Sequence, residues 1–337
     1  MKAVAYARYG APDVLELKEV DRPAVADDGV LVRVHACSVN PLDWHTLIGT
    51  PYIARLQSGL RKPKREVLGA DFAGTVEAVG GSVTRFRPGD EVFGARSGAF
   101  AEYVCVPEGR AVVSKPPNVT FEQAAAVPVA ALSALQGLRD KGRIQAGQKV
   151  LVNGASGGVG TFAVQIAKSF GAEVTGVCSG GNVDLVRSIG ADHVIDYTQE
   201  DFTRSGKRYD LVLDIAGNRS WSDCRRSLAP GARLVVVGGP KTNRWVGPLC
   251  RVVGVRLASL AGSRKAVPFL ATLTQEDLAV MQELLETGKV TPVIDRRYRL
   301  DEAAEALRYL GAGHARAKVV MTIIADAGAA LQQPALF

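Results

Sequence analysis

Several absences narrow what this chain can do. It carries five cysteines, Cys37, Cys105, Cys178, Cys224 and Cys250, and none stands in a C-x-x-C pair. Neither a zinc knuckle nor a dithiol redox centre is signalled by such spacing. No apolar run reaches the roughly 20 residues of a membrane-spanning helix. The most apolar stretch, 124–138, is broken by Pro128 and holds Gln136. No Ser/His/Asp set and no pair of carboxylates stands out as a hydrolytic constellation. The one basic cluster, Arg61-Lys62-Pro63-Lys64-Arg65, has no interleaved aromatics, and the net charge of +7 is otherwise spread along the chain. That argues against a nucleic-acid stripe and for a solvated basic loop, while leaving room for a polyanionic small molecule. Free thiols, and an N-terminal MKAVAYARYG without a long apolar core, set the expectation of a reducing cytoplasm.

What is present fits a two-domain globular chain. Its 337 residues, 47% hydrophobic and 22% charged, suffice for two separate cores. Up to about residue 115 the pattern is short β-branched runs between turn residues: Val30–Val34, Gly74–Val79, Asp90–Phe93 and Phe100–Val106. This predicts a mostly antiparallel, barrel-like domain. After Phe121 the rhythm changes to apolar runs at Val150–Asn153, Glu173–Cys178, His193–Asp196, Leu211–Ile215 and Leu234–Gly238, most of them separated by helical segments. Such strand–helix alternation predicts an α/β fold with a doubly wound parallel sheet. Arg256–Leu260 is a candidate sixth strand. Gln275–Gly288 reads as a helix with a glycine stop, followed by strand Val290–Val293, helix Asp301–Leu310 and strand Lys318–Ile324.

The run VLVNGASGGVG at 150–160 poses the functional question. It follows a strand and opens an apolar-periodic helix that ends at Phe170-Gly171. A dinucleotide site needs a tight turn, a close backbone approach and a helix N-terminus aimed at the pyrophosphate. Ala155-Ser156-Gly157-Gly158-Val159-Gly160 has the G-x-G-x-x-G spacing with alanine at its first position, and Gly154 and Gly158 relax the turn. The second strand ends in Cys178-Ser179-Gly-Gly-Asn182, with no carboxylate until Asp184. An NAD site usually has Asp or Glu there, for the ribose 2′-hydroxyl. Its absence favours NADPH, with Ser179 and Asn182 as donors to the 2′-phosphate. Arg187 is either a cationic partner or a helix-surface arginine.

Taken with Gly10–Leu15, Val39–Asp43, Val67–Gly74, Pro88–Val92, Ala99–Tyr103 and Gly190–Tyr197, the chain resembles the medium-chain dehydrogenase/reductase superfamily. It is most similar to the zinc-independent quinone oxidoreductase-like branch. The resemblance implies a Rossmann cofactor domain at 124–264, inserted into a GroES-like catalytic domain made of 1–123 and 265–337, and the Ala/Gln-rich tail at 325–337 is expected to fray. It also implies a cleft where nicotinamide meets a small-molecule substrate. Val127, Pro128, Tyr197, Gly217, Gly238 and Gly239 would line the cofactor's path. A homodimer through the cofactor-sheet edge, Val252–Leu260, is a further implication.

The zinc-dependent relatives hold catalytic zinc with a cysteine where this chain has Asn40, and with a His-Glu pair where it has Ala70-Asp71. His35, His45, His193 and His314 fall outside those positions and read as surface or loop residues. No metal is expected. Without a Lewis acid to form an alkoxide, the chemistry points toward an acceptor that is already electron-poor. That is a quinone or an α,β-unsaturated carbonyl. An enoyl-thioester reductase and a non-catalytic NADPH-binding protein are the alternatives. Asn40 is the first candidate beside nicotinamide and substrate, although Asn-Pro also marks turns. Tyr52 would offer an aromatic wall and a phenol donor, or simply pack in its loop. Asp43 reads as a helix cap. Lys318 can reach the cleft if it is not solvated, as strand-end lysines mostly are.

Overall fold

The computed structural model describes residues 1–238, 263–313 and 315–323, together with Gly254 and Ser259. Six strands make one parallel sheet, in the spatial order His193–Asp196, Glu173–Cys178, Lys149–Asn153, Tyr209–Asp214, Leu228–Val236, Lys265–Pro268. Val150, Leu151, Val152 and Val212 are fully buried, as expected of strands covered on both faces. Numbered from Lys149–Asn153, the strand order is 3-2-1-4-5-6, and the chain reverses direction across the sheet between Lys149–Asn153 and Tyr209–Asp214. Open α/β sheets bind ligands at such a switch point, beyond the carboxyl ends of the strands.

The sixth position belongs to Lys265–Pro268, paired to Arg233–Val236. The expected boundary after residue 264 therefore cuts through the sheet, and the cofactor domain runs at least to Pro268. Arg256–Leu260 lies outside the described residues apart from Ser259, as does the Val252–Leu260 edge apart from Gly254 and Ser259. Gly239, Cys250, His314 and the 325–337 tail also lie outside them.

The second sheet has seven strands, ordered Ile294–Arg299, Lys318–Thr322, Gly29–Val39, Asp71–Val79, Glu91–Ala95, Val112–Ser114, with Tyr103–Pro107 also paired to Gly29–Val39. Every pairing is antiparallel except Ile294–Arg299 with Lys318–Thr322. The expected strand Val290–Val293 is displaced to Ile294–Arg299. Val290 instead tucks under the helix Gln275–Glu286, its N–H donating to Leu284 O at 3.0 Å at the helix end, and its side chain is buried in the core.

Helices Phe121–Ala125 and Pro128–Gln136 join the two sheets through one continuous core that includes Phe93, Leu132, Leu135 and Phe162. The catalytic domain also returns to the glycine turn directly. Ala317 pairs with Gly157 in an isolated parallel bridge, and its N–H donates to Ser156 O at 2.7 Å. Ala317 takes φ +56°, a left-handed conformation uncommon for a residue with a Cβ. This bend brings Arg316 and Lys318 to the cofactor crevice from the far domain.

Candidate active site

The helix Pro41–Ile48 begins where strand Gly29–Val39 ends, and Asn40 is its N-cap. Asn40 N donates to Asp43 Oδ2 at 2.8 Å, the backward half of a capping box. The expected role of Asp43 as a cap is what the geometry gives. This cap fixes the Asn40 side chain, which is 2% exposed. Its Oδ1 accepts from Lys318 Nζ at 2.6 Å, and its Nδ2 donates to Asp71 Oδ2 at 2.8 Å. Asp71 Oδ2 also accepts from Ser38 Oγ at 2.8 Å, Asp71 Oδ1 accepts from Val129 N at 3.1 Å, and Lys318 Nζ stands 3.7 Å from Asp71 Oδ2.

Lys318 is 2% exposed and lines the cavity between the two domains, so of the two readings the sequence leaves open the structure gives the buried lysine that reaches the cleft. The register explains it. Lys318–Thr322 runs antiparallel to Gly29–Val39, and that strand sets Ser38 opposite Asp71, so the ammonium enters at the level of the Asp71 carboxylate. A buried cation needs such a partner. Burial lowers the Lys318 pKa from its ordinary 10.5, with Asp71 and Asp43 opposing the shift. Burial raises Asp71, with Lys318 opposing. Asp43 is pushed up to about 7, by burial first and then by the neighbouring Asp71 charge.

This cluster opens on a cavity of about 220 Å³ between the two domains. Asn40 and Lys318 form its polar wall, while Trp44, Ala130, Val159 and His45 contribute to the rest. Tyr52 is not among the lining residues. It sits in a short turn with the Arg55 guanidinium 4.7 Å from its ring centre, so the aromatic wall is Trp44. Val127 and Pro128 lie at the start of Pro128–Gln136, and it is Ala130 in that helix that reaches the cavity. Trp44 and His45 were missed in the sequence. The signal was there, since they stand four residues after Asn40 and Pro41 on one helix. His35 stacks on Phe121 and His193 faces Glu173, both away from this cavity.

The glycine turn fits a dinucleotide. Gly157 is the N-cap of Gly158–Ser169 and has no side chain to satisfy the first helical N–H groups. Those donors and the helix dipole face the crevice. A Cβ built on Gly157 meets only Gly154 O at 3.6 Å, so the protein itself has room for one. A Cβ on Gly160, by contrast, collides with Gly154 O, which makes that glycine a packing requirement. Gly154 (φ +92°) and Gly217 (φ +64°) make the left-handed bends at the two strand ends of the switch point. Gly158 lines the cavity, Ala155 is buried beneath the turn, and Gly238 packs on Ile215. At the far end Asn182 Nδ2 donates to Ser179 Oγ at 2.9 Å, and Tyr197 is 51% exposed after strand His193–Asp196.

Comparison with known proteins agrees with this geometry. Residues 26–117 match the alcohol dehydrogenase GroES-like domain family, and residues 189–321 match the zinc-binding dehydrogenase family. The 2-methylene-furan-3-one reductase of Solanum lycopersicum is 34% identical over 95% of this chain and 79% of its own length. The mitochondrial NAD(P)H oxidoreductase RTN4IP1 of Mus musculus is 34% identical over 96% of this chain and 89% of its own. The solved quinone oxidoreductase of Coxiella burnetii superposes with a TM-score of 0.84 at 31% identity, covering 96% of this chain and 99% of that one. The chain belongs to the medium-chain dehydrogenase/reductase family, in its quinone oxidoreductase-like branch, and is an oxidoreductase.

The donor set does not suit the zinc in one family's description. At Asn40 and Ala70, where the resemblance implies a cysteine and a histidine ligand in zinc-dependent relatives, this chain offers an amide and a methyl group. Both Asp71 oxygens are engaged by hydrogen-bond donors, and the nearby cation is the Lys318 ammonium. Among the described residues no group of three or more His, Cys, Asp or Glu could hold a metal ion.

Proposed function

We propose that the protein transfers a hydride from NADPH to a quinone or to an alkene conjugated with a carbonyl. One observation carries this reading: a buried ammonium, Lys318, held by Asn40 at the wall of an otherwise largely apolar cavity beside the glycine turn. NADPH bound along that turn supplies the hydride. The chain's own residues deal with the charge that the acceptor oxygen then gains. Lys318 donates one of its three N–H bonds to Asn40 and keeps others for that oxygen. Its lowered pKa makes the ammonium a readier proton donor than a solvated lysine. Asn40 and Asp71 hold it in position. Trp44, Ala130 and Val159 keep water from the reacting face and offer apolar surface to a flat, conjugated acceptor.

The similarity to the tomato 2-methylene-furan-3-one reductase and the Coxiella quinone oxidoreductase supports this acceptor class, and that to the mouse NAD(P)H oxidoreductase supports a nicotinamide reductant. NADPH is favoured over NADH because Ser179-Gly-Gly-Asn182 puts no acidic side chain at the end of the second strand. An enoyl thioester is the second reading. The exposed Arg61, Lys62, Lys64 and Arg65 would meet the phosphates of a pantetheine carrier.

The test is a comparison of NADPH oxidation with a quinone, an enone, an enoyl-CoA and a saturated ketone at matched concentration. Quinone and enone should turn over and the saturated ketone should not. Preference for enoyl-CoA moves the assignment to the thioester reading. NADPH binding with no acceptor reduced would make this a binding protein and end the proposal.

A further inference from the structure

The segment that delivers Lys318 to one end of the crevice also delivers Arg316 to the other. A Cβ built on Gly181 would lie 3.5 Å from Arg316 Nη2. Gly181 belongs to the turn Gly180–Asn182 that closes the second strand of the parallel sheet. That turn is where a Rossmann domain meets the adenosine ribose. The guanidinium therefore crosses from the catalytic domain to stand over the ribose end of the cofactor site. Its backbone is fixed on both sides. Arg316 N donates to Asp295 Oδ2 at 2.8 Å, and the next residue is pinned to Ser156 O by the Ala317 N–H.

We propose that Arg316 is the cation that receives the 2′-phosphate of NADPH, and that cofactor selection is made across the domain boundary. This rests on the NADPH reading above. A guanidinium pairs bidentately with phosphate, and Ser179 and Asn182 supply neutral hydrogen bonds beside it. Arg187, the cation suggested by the sequence, faces Asp184 at 3.9 Å and is 65% exposed on its helix. Two acids stand near this turn. Asp196 Oδ1 accepts from Thr198 N and Oγ1 at 3.0 and 2.8 Å, and its Oδ2 lies close to Gly180, where a Cβ would come within 2.7 Å. Asp184 is exposed and turned toward Arg187. A phosphate entering beside Asp196 needs a compensating positive charge, and Arg316 brings it. Because that charge belongs to the other domain, 2′-phosphate binding also ties the domains together at the cleft.

The experiment compares wild type, Arg316→Gln and Arg316→Lys by titration calorimetry with 2′,5′-ADP, 5′-ADP, NADPH and NADH, with melting curves to establish folding. Arg316 is exposed, so both variants should melt near wild type. Arg316→Gln should weaken 2′,5′-ADP and NADPH roughly tenfold to a hundredfold and leave 5′-ADP and NADH unchanged. Arg316→Lys should recover part of the loss. Should wild type favour NADPH while Arg316→Gln favours it equally, the phosphate is held elsewhere and the Arg316 assignment falls alone. Wild type that binds NADH as tightly as NADPH would remove the NADPH reading and this inference together.

Discussion

Replacing Lys318 with Met removes a charge and keeps most of the volume. The consequence follows from what the ammonium leaves behind. Asp71 is 0% exposed, and its carboxylate would retain donors from Ser38, Asn40 and Val129 but lose its nearby cation. Breaking a buried pair by removing one partner costs about 3 kcal/mol or more, because the other charge stays buried. Protonation limits the damage. Without Lys318, the Asp71 pKa, already raised by burial, rises further. A folded-state carboxyl pKa above the unfolded value contributes stability at low pH and loses it as pH rises. The deficit of Lys318→Met against wild type should therefore be larger at about pH 7 than at about pH 5. Adding Asp71→Asn removes the stranded charge, although its amide must face one of the present donors, at a cost of about 1 kcal/mol. Urea unfolding of the four proteins closes a double-mutant cycle, and the coupling should be about 2 kcal/mol. Additive single-variant costs, or a deficit independent of pH, would refute the argument that Lys318 and Asp71 hold each other in the core.

Asp43→Asn should flatten the stability profile between about pH 4 and about pH 7, since the folded carboxyl is raised from 3.8 to about 7 and its stabilising contribution fades as pH climbs through that window; denaturant midpoints across the range check it, and a profile unchanged from wild type would count against a titrating Asp43. Gly157→Val should melt near wild type yet lose NADPH binding, whereas Gly160→Ala should lower the melting temperature outright, because a Cβ at Gly160 collides with Gly154 O while one at Gly157 makes only ordinary contact with it. Ser179→Asp should move the ratio of NADPH to NADH affinity toward NADH by repelling the 2′-phosphate, and an unmoved ratio would mean that Ser179 does not face it.

The parts of the fold that local pattern can encode were legible. Strands Glu173–Cys178 and His193–Asp196 lie where the apolar runs predict them, and Gly158–Ser169 starts at the glycine turn. Ile294–Arg299 was hidden because Ile-Asp-Arg-Arg-Tyr-Arg has little apolar signal, while nearby Val290 serves a helix end instead. Strand Lys265–Pro268 was not legible because it is four residues long and offers little to distinguish it. At the site, Asn40 and the turn were readable from motif and spacing. The roles of Lys318 and Arg316 were not. Lys318 meets Asn40 across 278 positions of sequence, and Arg316 meets Gly181 only because Ala317 bends the chain onto the glycine turn. Burial of a lysine is a tertiary fact, set by sheet register and by the carboxylate on the neighbouring strand.

Hydride transfer from NADPH to a conjugated acceptor in this cleft can be followed atom by atom. The most direct measurement follows deuterium from NADPH labelled at the nicotinamide C4 position into an enone, with the product read by mass spectrometry and NMR. Wild type should place one deuterium at the carbon β to the carbonyl, and Lys318→Met should give on the order of a hundredfold less product per unit time. Bound NADPH that keeps its label with every acceptor, or a product carrying no deuterium at that carbon, would contradict it.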